Sequence, residues 1–146
     1  MEDKQILDVI NKYGKEVIAE MVTRLKTQNK FASGRLINSL NYEVKEVVGQ
    51  LTIRFSMIDY GVFVDKGRKP GKQPPIQAIK DWVKLKGIPQ KAAYPIAKSI
   101  GKFGIAPTNF WSISTRRRQS SFEKQLALAY SKVIAKQITN EINNIK

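Results

Sequence analysis

The chain contains no cysteine and no histidine among its 146 residues. Without cysteine there are no disulfides, thiolate-bound zinc, iron–sulfur clusters or thiol nucleophiles. Without histidine there is no Ser-His-Asp triad and no imidazole metal ligand, and the commonest general base near neutral pH is gone. Catalysis would have to run on carboxylates, Lys, Tyr or Ser alone. The expectation is a protein that is not an enzyme, with no catalytic residues, no metal ligands and no cofactor. Long apolar runs are missing as well. Stretches such as Val62-Phe63-Val64 fall far short of the ~18 residues a membrane helix needs. The start, MEDKQILDVINKYGKEV, carries acids early and charges every few positions, unlike the basic start and apolar stretch of a signal peptide. The reading therefore expects no membrane association and no export by that route.

Acid is scarce. Against 26 Lys+Arg stand 12 Asp+Glu, a net charge of +14. The imbalance is local: residues 1–64 hold 9 bases and 8 acids, residues 65–104 hold 10 and 2, and residues 105–146 hold 7 and 2. A surface serving solubility alone would interleave both signs. A one-signed region instead projects a field toward an anionic partner, which could be DNA, RNA or an acidic protein surface.

The length suits one domain. Ile6, Ile10, Tyr13, Val17, Met21 and Leu25 recur at helical period, so residues 2–29 read as a long helix with one apolar stripe, in which Gly14 is a mild penalty. Ser33 suits the cap of a short helical turn carrying Leu36, Ile37 and Leu40. The period then changes. Residues 42–48 are rich in β-formers, and Leu51, Ile53, Phe55 and Met57 alternate with Thr52, Arg54 and Ser56. Gly49-Gln50 suits a type II′ hairpin turn between the two runs. Residues 59–64 read as a third strand, giving a small antiparallel meander whose Leu51–Met57 face should point at the long helices. Residues 65–75 form a basic Gly/Pro loop, in which Gly67 and Gly71 should adopt glycine-type angles. Pro74-Pro75 opens a helix with Ile76, Ile79 and Val83 on its apolar side and Gly87 as its stop. A second short helix spans about 94–100, ending near Gly101 and Gly104. Residues 105–120 read as an extended arm. The last helix should begin near Ser121, through a capping box of Ser120 and Glu123. Its stripe of Phe122, Leu126, Ala129 and Val133 continues in Ile138, Ile142 and Ile145. The expected fold class is α+β: a small antiparallel sheet packed by long N- and C-terminal helices, with a short helical insertion at about 65–104.

Chemical motifs mostly fail. Gly67-Arg-Lys-Pro-Gly71-Lys72-Gln73 has one residue too few between its glycines for a P-loop, and Gln73 stands where Ser or Thr should. Asp59 and Asp65 could form a carboxylate pair. Without a third nearby acid for Mg²⁺, they read better as caps at strand ends that pair with nearby Lys or Arg. Arg116-Arg117-Arg118, downstream of Phe110 and Trp111, suits phosphate contact with base stacking. It equally suits a solvated arm or one docked on an acidic neighbour. No RNP signature, zinc finger or recognition helix is present, so any nucleic-acid contact would be through phosphates.

The segment Tyr60-Gly61-Val62-Phe63-Val64-Asp65-Lys66-Gly67 joins the upstream turn Ser33-Gly34-Arg35-Leu36-Ile37-Asn38-Ser39 and the downstream AIKDWVKLKGI, AYPIAKSIGKFGI and PTNFW. In this order, over roughly residues 31–111, they resemble the tail-completion or head–tail connector proteins of tailed bacteriophages, often described as minor tail components. Pro107-Thr108-Asn109-Phe110 replaces the adjacent Pro-Phe of that pattern, and residues 74–104 resemble a version with two inserted helices. The resemblance implies a non-enzymatic structural virion protein, assembled in the host cytoplasm. It implies a homo-oligomeric ring of six or twelve copies at the neck, between portal or adaptor and tail proteins, around the DNA channel. Lys66, Gly67, Arg68, Lys69, Phe110 and Trp111 are then the expected subunit or partner interface. Lys72, Arg116, Arg117 and Arg118 are the expected contacts to DNA or an acidic partner. The alternative reading is a cytoplasmic protein that binds nucleic acid without sequence preference.

Overall fold

A computed structural model describes residues 4–28, 34–59 and 61–145. Ser33 and Tyr60 therefore lie outside the described residues. Helix α1, Lys4–Gln28, buries Ile6, Ile10, Val17, Met21 and Leu25, the stripe that the spacing dictates. Tyr13 of that stripe is half-buried, and Gly14 is fully packed instead. A methyl group at Gly14 would lie only 2.5–2.8 Å from ring carbons of Tyr42, so the glycine is where a tyrosine crosses the helix.

Helix α2, Gly34–Ser39, buries Leu36. Ser39 Oγ donates to the Leu36 carbonyl at 2.7 Å and accepts the Ile58 amide at 3.1 Å, tying this turn to the end of the hairpin. Strands β1, Asn41–Val47, and β2, Gln50–Ser56, form a two-stranded antiparallel sheet with Tyr42 opposite Phe55 and Val44 opposite Ile53. Along β2 every second residue is half-buried. Leu51, Ile53 and Phe55 face the helices while Thr52, Arg54 and Ser56 face away, as the alternation requires. The turn is Val48-Gly49, both at positive φ (52° and 73°), one residue earlier than expected. Two positive φ angles make a type I′-like turn, whose twist matches that of the strands.

Among the described residues no third strand forms at 59–64. Residues Gly61–Lys66 form helix α3, burying Gly61, Val64 and Asp65 while Val62 and Phe63 stay exposed. Burial at i, i+3 and i+4 is helical spacing, which a short Val-Phe-Val run cannot reveal by composition. The sequence then enters α4, Ile76–Leu85, a 3-10 turn at Gln90–Ala92, and α5, Ala93–Phe103. Pro75 precedes α4 as its N-cap, and Gly87 closes it at φ 71°. The Ile88 amide donates to the Val83 carbonyl at 2.9 Å and the Gly87 amide to Lys84 at 3.2 Å, a Schellman ending.

The largest departure is α6, Phe110–Asn144, which starts eleven positions before the expected start at Ser121. It runs antiparallel to α1: Arg118 meets Glu20, Tyr13 stacks on Phe122, and Ala129 packs with Ile6 and Ile10. Three cores result. One joins Val17, Met21, Leu25, Leu36, Val64 and Phe110. A second joins Ile6, Ile10 and Ala129 under the sheet. A third belongs to the insertion, with Ile79, Val83, Ala93, Ala97 and Ile100. The chain is an α+β fold of long terminal helices on a small sheet.

Candidate interaction surface

The residues expected to reach outward divide sharply in the structure. Phe110 is fully buried in the main core, and Trp111 is half-buried against it, edge-on to Phe55 at 6.3 Å. Phe110 therefore keeps no surface for a partner, whereas Trp111 is shared between the core and the surface. The reason lies in Asp65. This carboxylate is 4% exposed, and its Oδ1 accepts the Trp111 amide at 2.9 Å and the Ser112 amide and hydroxyl at 3.3 Å each. It supplies from another segment the N-terminal cap that Asn109, in the left-handed region, does not supply. Asp65 is therefore neither a strand cap nor half of a carboxylate pair. Asp59 is exposed, on the wall of a groove. Among the described residues no cluster of three or more acidic side chains could hold a metal ion.

The same clasp explains the basic loop. The Thr108 amide and hydroxyl donate to the Val64 carbonyl, and the Asn109 amide to Asp65 O at 2.9 Å. Arg68 and Ile105 exchange both backbone hydrogen bonds, at 2.9 and 2.8 Å. Gly67 (φ 71°) lies where a methyl group would meet Ile105 O at 2.4 Å, and Gly71 has φ 129°, so both glycine expectations hold. Gly67 and Arg68 are half-buried in this clasp, with the Arg68 guanidinium over the Phe63 ring at 5.8 Å. Lys66, Lys69 and Lys72 remain exposed.

The three arginines do not share one arm. On a helix they point in three directions. Arg118, half-buried, donates to Glu20 at 2.9 Å and Glu16 at 3.2 Å on α1; Arg117, exposed, lies 3.7 Å from Glu20. Arg24 also reaches Glu20, at 3.2 Å. Burial opposes ionisation of Glu20, but the hydrogen bonds from Arg118 and Arg24 outweigh it and hold its carboxyl below the ordinary value. The anions facing Arg117 and Arg118 are thus in this chain rather than in a partner. Arg116 alone is exposed with no ion pair among the described residues.

Two exposed features stand out beside these packed residues. One is the insertion: Lys66, Lys69, Lys72, Lys84, Lys91 and Lys98 are exposed and lie in no ion pair among the described residues. The other differs from the expectation drawn from the sequence. The stripe of Phe122, Leu126, Ala129 and Val133 packs on α1, but Ile138, Ile142 and Ile145 do not continue it. Five residues advance a helix by about 140° beyond a full turn. The packed row runs on through Lys136, Gln137 and Asn140, which are polar. The isoleucines form a second face with Ile134, exposed at 52%, 55%, 57% and 82% along the chain. The register of this second face was readable from sequence as a break in period. Residues 134–145 also run past the described start of α1, by ~18 Å at 1.5 Å per residue.

At the opposite end lies a groove of about 790 Å³ between α3, α4 and the Ile105 segment, walled by Phe63, Ile79, Trp82 and Leu85, with Arg35, Asp59, Arg68 and Asp81 around it. No helix among the described residues is long and apolar enough to cross a membrane. Compared with protein-family models, with curated proteins and with solved structures, the chain matches none.

Proposed function

We propose that the chain is a structural assembly subunit, a ring-forming component of the head–tail junction of a tailed bacteriophage, with its basic insertion near the genomic DNA. One observation carries the assembly half of this reading: the second apolar face of α6, whose isoleucines stay exposed with nothing among the described residues to cover them. A row of large aliphatic side chains left in water on a projecting helix is characteristic of a surface that another protein completes. The virion half rests on the sequence resemblance around residues 31–111 and on the charge. The exposed lysines of the insertion form a one-signed surface that tolerates passing phosphates.

The charge alone also favours the second reading, a free nucleic-acid binder acting through phosphates. The two readings part on one measurement, the copy number of the chain in purified particles. A connector subunit is present at a fixed ring stoichiometry; a free binder is absent from particles and binds bare duplex with a steep salt dependence. Absence from particles refutes the proposal.

A further inference from the structure

The free apolar face of α6 and the apolar groove sit at opposite ends of the molecule. The groove adjoins the start of α6, where Val64 packs with Phe110. Ile134 comes 24 positions later on the same continuous helix, ~36 Å away at 1.5 Å per residue. A copy cannot fill its own groove with its own tail. We propose that residues 134–145 of one copy seat in the groove between α3 and α4 of the next, a head-to-tail contact that builds the ring; this rests on the ring reading above and names its interface.

Three properties favour a second copy as the occupant. Ile134, Ile138 and Ile142 recur at i, i+4 and i+8, the anchor spacing by which an amphipathic helix enters a hydrophobic groove. Their counterpart walls are apolar and partly uncovered: Phe63 is 50% exposed and Leu85 46%. Charge fits as well. By helical position Glu141 borders the stripe, about 20° from Ile134, and the groove offers Arg35 and Arg68 to it beside Asp59 and Asp81. A contact between two different patches of one protein is heterologous, and it closes into a ring when the rotation between copies closes.

The cysteine-free sequence makes the test direct. Ile138→Cys and Ala78→Cys are prepared separately; both sites are exposed, and Ala78 lines the groove. Melting curves confirm folding before the two proteins are mixed and oxidised. The expected result is a covalent dimer in the mixture and in neither protein alone, and a ladder ending in a closed ring for the double variant. Ile138→Asp is expected to weaken self-association by at least about tenfold with an unchanged melting temperature. Cross-linking of Ile138→Cys with itself overturns the proposal, because the stripe then pairs with its own copy in a twofold dimer. Oligomers by native mass spectrometry without the 138–78 cross-link overturn the interface and leave the ring reading standing. An endless ladder supports the contact and overturns the ring. A protein that never self-associates overturns both.

Discussion

Replacing Asp65 tests why α6 begins at Phe110. The Asp65→Ala protein keeps the backbone and loses one buried acceptor shared by three donors, of which the Trp111 amide at 2.9 Å is the closest. Removing an N-cap costs ~0.5–2 kcal/mol. A negative charge at a partly buried helix start adds ~1–2 kcal/mol. The sum, about 1.5–4 kcal/mol, is a large share of the ~5–15 kcal/mol that holds a domain folded. Asp65→Asn keeps an acceptor and loses only the charge, so about 1 kcal/mol is expected. The assay is urea unfolding followed by circular dichroism, with hydrogen exchange on peptides covering 110–120. Ala should lower the midpoint more than Asn, and the first turns of α6 should exchange faster in both. A loss below about 0.5 kcal/mol for Asp65→Ala, with unchanged exchange at 110–120, refutes the cap and leaves the helix start without this cause.

Four further outcomes are expected. Gly14→Ala should destabilise by about 1–2 kcal/mol, because crowding against the Tyr42 ring outweighs the ~1 kcal/mol helix-propensity gain. In a Tyr42→Ala background the same change should stabilise, as a double-mutant cycle by denaturant titration will show. Val48→Asn should stabilise by about 1 kcal/mol in thermal unfolding, since a fully exposed β-branched residue at φ 52° is replaced by one that accepts that region. Ser114→Ala should be neutral or stabilising, because the buried Ser114 hydroxyl has no hydrogen-bond partner among the described residues. Acid titration of stability should show a Glu20 contribution that is present above its ordinary value of 4.5 and lost as pH falls below it, because the folded carboxyl sits lower; Arg118→Ala should flatten that loss.

What the sequence shows depends on whether a signal is local. The stripe of α1, the alternation along β2 and the Gly87 ending each consist of neighbours within one element, and each is read correctly from spacing. The start of α6 is not local. Its face at 110, 114 and 118 reads Phe, Ser, Arg, which shows no apolar period, and its cap comes from a residue 46 positions upstream. The surroundings of Arg117 and Arg118 are non-local for the same reason: Glu16 and Glu20 lie about a hundred residues away on α1. Of the expected contact residues, Lys66, Lys69, Lys72 and Arg116 stay exposed and unpaired among the described residues. Phe110, Trp111 and Arg118 are drawn into packing against the chain itself.

The residues that carry the family resemblance have structural work of their own in this chain. Leu36 fills the main core, and Ser39 ties the helical turn to the end of the hairpin. Asp65 caps α6, and Gly67 leaves room for the backbone of Ile105. The Val-Asp-x-Gly segment is thus a clasp: it folds as one turn of helix so that an acid can face α6 while the following glycine admits residues 105–107. A clasp of this kind specifies how the hairpin, the insertion and the long helix are joined. The surfaces available to partners lie elsewhere, on the lysines of the insertion, in the α4 groove and on the isoleucines of the α6 tail. Substitutions in the clasp should therefore act through folding, lowering melting temperature and assembly together. Substitutions on the tail or groove should lower assembly at constant melting temperature. Comparing the two quantities across Asp65→Ala, Gly67→Ala, Ile138→Asp and Leu85→Asp separates fold from assembly. If Ile138→Asp and Leu85→Asp moved both quantities together, the tail and groove would belong to the fold and the proposed contact between copies would be refuted.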